Sequence, residues 1–398
     1  MSPTPVTAEP LTAAAPRRWP ARGEAWILAL YALTAAFVTW QQLHLDHINN
    51  WRMARWSFYQ LLQGGDLYAP APGRFYDLYQ YSPTFALLVA PFAVPPVWLG
   101  LFLFNAFNVG VFYYAIRRLL PGRVGLAALL ILYFEVLRST QNTEINTLVT
   151  GIFILAFLWL EKGGVGRPAA AIAAGAAIKI FPLAAGALAL PHRWRWRFGA
   201  ALAAALAVAI LAPLLVTPPA TLLQQYHSWV ALERHYSAAL RIDSLMALLN
   251  LVIPGAWPNW PVQVAGTLLL LLPYWVRRAD WGDALFRRAM LFFLLQYVIL
   301  FNHQAESPTY IIAMTGVVAW YLLGPRRWYH HALMAFAWVL VSLFSEIFPA
   351  SVLNVCCRPY HYRAIPILLI WLVMLWELLA PRRHGGALPP GAADAPAG

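Results

Sequence analysis

Charged residues are scarce in this chain of 398 residues: only 11% are Asp, Glu, Lys or Arg, and 61% are hydrophobic. Soluble domains contain about a quarter charged residues. The composition therefore excludes the two or three soluble domains that the length alone would suggest. The mean hydropathy of +0.59 indicates a protein whose main solvent is lipid.

Cysteine and lysine are nearly absent, with two of each in the whole chain. Adjacent cysteines such as Cys356 and Cys357 rarely pair, and no C-x-x-C or Cys/His spacing suggests a metal or redox site. We interpret both as structural thiols. The net charge of +12 comes mainly from Arg residues in short loops between apolar runs. That pattern sets membrane orientation and argues against a nucleic-acid partner.

Motifs for nucleotide, metal and hydrolase sites are missing too. The chain has no G-x-x-x-x-G-K-[ST], G-x-G-x-x-G, H-E-x-x-H or G-x-S-x-G. It also lacks D-x-D, with which many nucleotide-sugar enzymes hold a divalent metal. We therefore expect no soluble nucleotide donor, no cofactor and no metal.

Long apolar runs are what the chain does contain, and they are typical of membrane-spanning helices. They are too long for barrel strands and do not alternate. The sequence predicts an all-α polytopic membrane domain over residues 24–380, between disordered cytoplasmic ends at 1–23 and 381–398. About twelve spans are expected, at 24–42, 98–116, 124–137, 146–160, 168–180, 181–191, 198–216, 259–276, 285–301, 308–323, 331–347 and 364–380.

The basic residues predict the orientation of these spans. With the N-terminus inside, 19 of the 28 Lys and Arg residues fall in inner segments. We therefore expect a plasma (inner) membrane protein with both termini in the cytoplasm. The outer segments are then 43–81, 138–145, 217–243, 301–310 and 348–363. They carry most of the unusual polar residues, so a site is expected on the extracytoplasmic side.

The outer segment FNHQAESPTY (301–310) is the clearest polar island. Seven of its ten side chains can form hydrogen bonds, and none is Lys or Arg. We expect Glu306 to face an outer cavity near His303 and Gln304, with Asp46 or Asp77 of the first outer loop close by. The alternative is helix capping, because Glu beside a helix N-terminus gains up to about 1 kcal/mol from the dipole.

The long first outer loop offers further candidates. Residues 50–63 predict an amphipathic helix ended by Gly64 and Gly65; it is either a platform beside a lipid-linked substrate or an ordinary interfacial helix. Tyr79 and Tyr81 lie close to Asp77 and suit a sugar, although an aromatic belt explains them as well. The possible catalytic bases are Glu306, Asp77 and Asp46.

Three other stretches complete the set of candidate residues. The island at 139–148 is either part of the site or a turn capped by Asn142 or Thr143. Lys179 lies within an apolar stretch and should pair with a donor phosphate or with a carboxylate. In the amphipathic stretch at 224–243, Arg234, His235 and Arg241 could meet an anionic head group. The predicted substrate-binding residues are Asn50, Tyr79, Tyr81, Gln141, Asn142, Glu144, Lys179, His227, Arg234, His235, His303 and Gln304.

Several stretches, in order, resemble glycosyltransferase family 87, the polyprenol-phosphate-mannose-dependent mannosyltransferase-like proteins of GT-C type. They are GGDLY (64–68), YSPTFALLVAPF (81–92), QNTEIN (141–146), AGAAIKIFPL (174–183) and HRWRWR (192–197). The resemblance implies a GT-C fold and a polyprenyl-phosphate sugar donor. It also implies inverting, metal-independent transfer of a mannose-like hexose or pentose to a lipid or glycan acceptor on the outer face.

One position departs from the family pattern. The family's usual catalytic Asp corresponds to Asn50 here, and an amide cannot act as a base. Either Asp46 replaces it, or another outer carboxylate does, or the chemistry differs. The alternatives are a non-catalytic family member and a transporter or flippase of lipid-linked sugars. A transporter predicts an inverted repeat and charges near the midplane, and no repeat is visible.

Overall fold

The computed structural model describes residues 22–239, 241–255 and 257–380, and these residues fold almost entirely into helices. Their only β-type pairing is an isolated bridge between Ile242 and Gln304. The predicted disordered ends lie outside the described residues, except that Arg22 and Gly23 begin the first helix. The side chain of Cys356 also lies outside them, so the pair with Cys357 is not described.

The α-helices are numbered in chain order. Those of the first half are α1 Arg22–His44, α2 Asn49–Leu62, α3 Pro83–Leu88, α4 Ala90–Ala93, α5 Val97–Leu119, α6 Gly122–Ile131, α7 Tyr133–Gln141, α8 Asn146–Glu161, α9 Gly166–Ile178 and α10 Arg195–Leu211. Those of the second half are α11 Pro219–Ala239, α12 Leu245–Val252, α13 Trp260–Val276, α14 Ala284–Leu300, α15 Tyr310–Leu323, α16 Trp328–Ala337, α17 Phe344–Ile347, α18 Ala350–Cys356 and α19 Ala364–Leu379.

Non-α turns extend or join several of these helices. The 3-10 segments are Phe181–Ala189, Ala212–Leu215, Arg278–Gly282, Ser307–Thr309 and Arg358–Tyr360, and a π-helical segment covers Trp338–Leu343.

Membrane-spanning length is met by five helical stretches among the described residues: Gly23–His44, Val97–Leu119, Arg195–Leu215, Trp328–Ile347 and Arg358–Leu379. Three shorter apolar helices cover Asn146–Glu161, Trp260–Val276 and Ser307–Leu323. The prediction of an all-α polytopic membrane protein is confirmed. The count of twelve crossings stays a prediction, because α9 has 13 residues, about 20 Å of helix, against about 30 Å of hydrocarbon.

The span predicted at 124–137 coincides with α6 and α7, a bent pair that together is long and apolar enough for one crossing, so this span stays a prediction. The chain bends by 50° between α6 and α7. After the bend, α7 carries the buried ion pair Arg138–Glu135, with 2.8 Å between nitrogen and oxygen. Arg138 also bonds to backbone oxygens of Val341 and Ser342. A segment with two buried charges gains more from these partners than from lipid, so α7 follows its own direction.

The bundle is held by lengthwise helix packing. α5 packs along α1 and α8, α14 packs along α15 and α19, and α9 packs along α10. Aromatic side chains fill the centre, where Phe293 stacks on Trp371 with ring centroids 4.6 Å apart. These rigid helices fix the positions of the loops at one end of the bundle, where the polar islands lie.

Lys179 lies at a turn between two short helical segments, α9 and the 3-10 segment Phe181–Ala189. α9 ends at Ile178, Lys179 is extended, and the 3-10 segment from Phe181 then turns back along the bundle. The two segments are in close contact: a Cβ added at Gly175 would lie 3.0 Å from the Pro182 Cβ. The turn thus presents Lys179 at the end of the bundle.

A buried polar network holds two loops together at the same end. The Arg363 guanidinium donates to the Asp243 carboxylate at 3.1 Å, and both side chains are nearly inaccessible to water. The Tyr310 hydroxyl donates to the backbone oxygen of Asp243. The next residue back, Ile242, donates its amide to the His303 carbonyl at 2.8 Å. The segment after α11 is therefore fixed against the 301–310 loop.

Candidate functional site

A cavity of about 510 Å³ opens at the end of the bundle where the polar loops meet. Its walls come from α2, the first long loop, the Lys179 turn, α11, α13, α14 and the 301–310 loop. The polar and aromatic lining residues are Asn50, Asp77, Gln80, Tyr81, Glu144, Lys179, Phe181, Trp229, Glu233, Gln263, Tyr297, Phe301, Asn302, His303, Gln304, Glu306 and Thr309.

The charge in this cavity is mainly negative. Four carboxylates line it, from Asp77, Glu144, Glu233 and Glu306. Lys179 is the one Lys or Arg among the described residues that does so. Any anionic group that enters must therefore bind near this lysine, since every other charged wall repels it.

Lys179 is held by two partners. Its ammonium lies 3.2 Å from Glu144 Oε2 and 3.0 Å from Asn146 Oδ1. The Asn146 amide nitrogen in turn donates to Glu144 at 3.2 Å and to the Pro308 carbonyl at 3.1 Å. An ammonium has three protons, so one remains after these two bonds. Of the two expected partners, the structure shows the carboxylate, and a proton is left for another acceptor.

Asp77 is oriented by an asparagine. The Asn49 side chain donates to Asp77 Oδ2 at 2.9 Å, and its own oxygen accepts the Tyr76 amide at 3.0 Å. Oδ1 has no hydrogen-bond partner in the described part of the chain. Partial burial raises the pKa of Asp77, the Asn49 hydrogen bond opposes this, and the nearby Glu144 charge adds to it. A raised pKa makes the carboxylate a stronger base.

Glu306 is another carboxylate in the cavity lining. No hydrogen bond or ion pair engages its carboxylate in the described residues, and although it is the N-cap of the 307–309 turn, its side chain caps nothing. Burial among the cavity walls raises the pKa of Glu306. Glu144 and Asp77 raise that pKa further, while Lys179 lowers it. The side chain therefore makes no capping hydrogen bond, although its position at the N-cap agrees with the dipole alternative.

His303 contributes a neutral imidazole. Burial lowers the pKa of His303 from its usual value, so the ring is uncharged at neutral pH. Its Nε2 is buried and has no hydrogen-bond partner among the described residues. An unpaired buried nitrogen costs stability unless something bonds to it. Such an atom in a cavity wall is therefore a candidate ligand contact.

A model of glycosyltransferase family 87 matches residues 79–302, more than half of the chain. The chain belongs to glycosyltransferase family 87. It is thus a membrane glycosyltransferase, with a sugar donor and an acceptor as its substrates. No curated protein matches it.

Family membership favours the transferase over the transporter alternative. The matched region contains Glu144, Lys179 and Glu233, whereas Asp77 lies two residues before it and Glu306 lies four residues after it.

Sequence reasoning missed the part of this family 87 site that α11 supplies. Gln225, Trp229 and Glu233 are four residues apart and share one helix face. Gln225 bonds to the backbone of Gly65 and Leu67, and the Trp229 indole donates to the Gln80 carbonyl at 3.1 Å. Burial raises the pKa of Glu233. The i, i+4, i+8 spacing was the available signal.

The predicted residues on α11 do not reach the cavity. His227, Arg234 and His235 are exposed on other sides of the helix and do not line it. Successive residues are rotated by about 100° around a helix, so the face formed by Trp229 and Glu233 excludes all three. These three residues therefore do not contribute to the cavity, and the contact of this stretch with an anionic head group stays a prediction.

Candidates from the first loop divide between the cavity and its surroundings. Asn50 lines the cavity, and its amide donates to the Asn142 carbonyl at 2.9 Å. Tyr81 lines it as well, whereas Tyr79 is packed in the core with its hydroxyl bonded to the Ser82 carbonyl. Asp46 lies outside the cavity, in an exposed ion pair with Arg52 at 2.5 Å.

The 139–148 island contributes only Glu144 to the cavity lining. The Gln141 amide bonds to Gln41 at 3.2 Å. The Asn142 amide bonds to the Arg138 carbonyl at 2.8 Å, and therefore caps the end of α7. The expectation that Asn142 or Thr143 is the N-cap of the next helix is wrong, because Ile145 holds that position without a side-chain bond.

The described ranges 22–239, 241–255 and 257–380 contain no group of three or more His, Cys, Asp or Glu residues placed to hold a metal ion.

Proposed function

We propose that this family 87 enzyme transfers a mannose-like hexose or pentose from a polyprenyl-phosphate donor to a hydroxyl of a lipid or glycan acceptor. Transfer takes place at the extracytoplasmic face of the plasma membrane, inverts the anomeric carbon and needs no metal. The observation that supports this most is the single lysine with a spare proton, placed between carboxylates and an apolar wall in one cavity.

The shape of the cavity suits an amphiphilic donor. Its volume of about 510 Å³ lies within the range of small-molecule sites. Beside Lys179 the wall is apolar, formed by Ile178, Ile180, Phe181 and Ala184. Ile180 is 51% exposed, which leaves hydrocarbon surface free for an isoprenoid chain. A phosphate bound at Lys179 would therefore have its lipid on this side.

The donor phosphate binds through charge and hydrogen bonding at Lys179. The third ammonium proton would reach a phosphate oxygen while Glu144 and Asn146 hold the other two. His303 Nε2 has no partner among the described residues, and in the neutral tautomer with its proton on Nε2 the ring would be a second donor. Both contacts stabilise the negative charge that collects on the phosphate as the sugar departs.

The transfer itself needs a proton acceptor. The acceptor oxygen forms a bond to the anomeric carbon, and the bond from that carbon to the phosphate oxygen breaks. Polyprenyl phosphate leaves with the electron pair, and the hydroxyl proton passes to a carboxylate. Asp77 and Glu306 both have a raised pKa and an oxygen free of hydrogen bonds. Tyr81 and Trp229 provide rings for the sugar's apolar faces.

The test is transfer by purified enzyme in lipid nanodiscs. Farnesyl-phosphate-linked mannose, glucose and arabinose, each radiolabelled, serve as donors, with a detergent-extracted lipid and glycan fraction as acceptor. We expect label in a new product with at least one donor. Glu306→Gln keeps the size and hydrogen bonding of the side chain but removes a proton acceptor, so this variant tests Glu306 as the base. If no donor is consumed by the folded wild-type enzyme, the proposed function is wrong.

A further inference from the structure

A second concave surface lies on the first long loop. This loop groove has a volume of about 610 Å³ and is lined by Asp46, Asn49, Arg52, Pro70, Ala71, Pro72, Gly73, Arg74, Phe75, Tyr76, Asp77 and Leu78. Asp77 and Leu78 also line the cavity of about 510 Å³ that contains Lys179, called the donor cavity from here on. The two spaces therefore adjoin at these residues, and among the described residues Asp77 is the one carboxylate in both linings.

The structure orients Asp77 at this junction. Asn49 lies in the groove, and its two amide ends bond to the Asp77 side chain and to the Tyr76 backbone. One carboxylate oxygen thereby accepts a hydrogen bond from Asn49, and the other has no hydrogen-bond partner among the described residues. Glu306 and Glu144 line only the donor cavity.

The groove's chemistry differs from that of the donor cavity. Tyr76 is 85% exposed and offers an open ring. Arg74 is exposed, and no ion pair or hydrogen bond engages its side chain in the described residues. Asp46 and Arg52 form the rim as an exposed ion pair. A ring together with charged and amide groups suits a hydroxyl-rich sugar, whereas a lipid chain would leave these polar groups without water.

We propose that the loop groove binds the acceptor as a hydrophilic glycan, with the reacting hydroxyl at Asp77 and the donor in the adjoining cavity. This inference rests on the proposed function. The acceptor hydroxyl gives its proton to the free oxygen of Asp77 as its own oxygen bonds to the anomeric carbon. Polyprenyl phosphate then leaves on the Lys179 side. Donor and acceptor meet from two spaces, so neither has to pass the other.

The first test measures acceptor binding without any donor. Methyl glycosides of mannose, glucose, galactose and arabinose are the probes, and saturation-transfer NMR on enzyme in nanodiscs is the measurement. We expect at least one glycoside to bind and Tyr76→Ala to weaken it about fivefold to tenfold, the effect of one aromatic contact. Tyr360→Ala is the matched control, because Tyr360 is 59% exposed and lies outside both linings.

The second test measures the KM of the acceptor and the KM of the donor separately in each variant. Arg74→Ala and Tyr76→Ala should raise the acceptor KM about fivefold to tenfold and leave the donor KM within about twofold. Asp77→Asn should lower kcat by a factor of about 100 to 10,000, as expected for loss of a general base, with farnesyl phosphate binding retained.

Several results would overturn the groove assignment. They are glycoside binding that is absent or equal in Tyr76→Ala, an unchanged acceptor KM in both groove variants, and full kcat in Asp77→Asn. A failure of the donor reaction is a separate outcome. If glycosides bind in the groove but no farnesyl-phosphate sugar is consumed, the proposed donor is wrong while the glycan site stands.

Discussion

Substitution of Lys179 should affect protein stability and donor binding separately, and the two effects can be measured apart. Lys179→Met removes the ammonium and leaves Glu144 with only the Asn146 amide. A pair at 3.2 Å attracts by about 5 kcal/mol at an effective dielectric constant of about 20. The two side chains are 21% and 12% exposed, so water screens part of this. We expect a loss of about 2 to 3 kcal/mol of stability, below the value for fully buried pairs.

The same substitution should also weaken donor binding. A hydrogen bond to a charged group contributes about 1.5 to 3 kcal/mol, so the donor KM should rise about tenfold to a hundredfold. Lys179→Met/Glu144→Gln removes both charges and should recover most of the lost stability, because no unpaired charge remains. It should not recover donor binding, since the phosphate still lacks its cation.

Glu144→Gln is the matched control for this experiment. It leaves Lys179 with no carboxylate competing for its charge, so donor KM should stay equal or fall. Thermal unfolding in detergent gives the stability arm, and donor-dependent transfer in nanodiscs gives the kinetic arm. A double variant with both wild-type stability and wild-type donor KM would show that the ion pair serves only the fold, and would refute the phosphate role.

Three further predictions concern pH, the buried network and orientation. Activity should fall with acid at a higher pH than an ordinary carboxylate would dictate, because the base must be ionised and the pKa of Asp77 and of Glu306 is raised; a profile flat down to pH 4 would contradict a carboxylate base. Arg363→Leu should cost about 3 to 5 kcal/mol, the effect of leaving one buried charge unpaired, because Asp243 is then left with only a weak contact to an imidazole; thermal unfolding measures it, and a loss under about 1 kcal/mol would contradict a buried ion pair. Ser228→Cys, in a background with both native cysteines changed to serine, should react with a membrane-impermeant maleimide from the extracytoplasmic side; labelling from the cytoplasmic side alone would reverse the proposed topology.

Much of the fold could be predicted because hydrophobic length is a local property. Long apolar runs such as those at α1 and α5 leave a membrane helix as the main choice, and Gly64, with φ of +70°, lies just past the end of α2 as predicted. The bend between α6 and α7 was missed, since its cause lies about 200 residues away in the partners of Arg138 at Val341 and Ser342.

The candidate site shows the same division. Composition and the polar islands indicated Glu306, Lys179 and Glu144 from the sequence alone. An ionisable group in an apolar chain is costly, so it usually has a partner or a function. Pattern could not show that Asp77 lies in two linings, that Asp46 is paired away from the cavity, or that α11 turns Glu233 inward and Arg234 outward.

The sequence by itself determined a helical membrane protein with its unusual polar residues in loops. In lipid the backbone must satisfy its own hydrogen bonds, so a chain this poor in charge forms helices. Only the tertiary structure decided which of those residues meet. Cavity walls come from segments as far apart as Asn50 and Glu306, and their approach depends on helix packing and on the rotation of each helix, which no short stretch of sequence encodes.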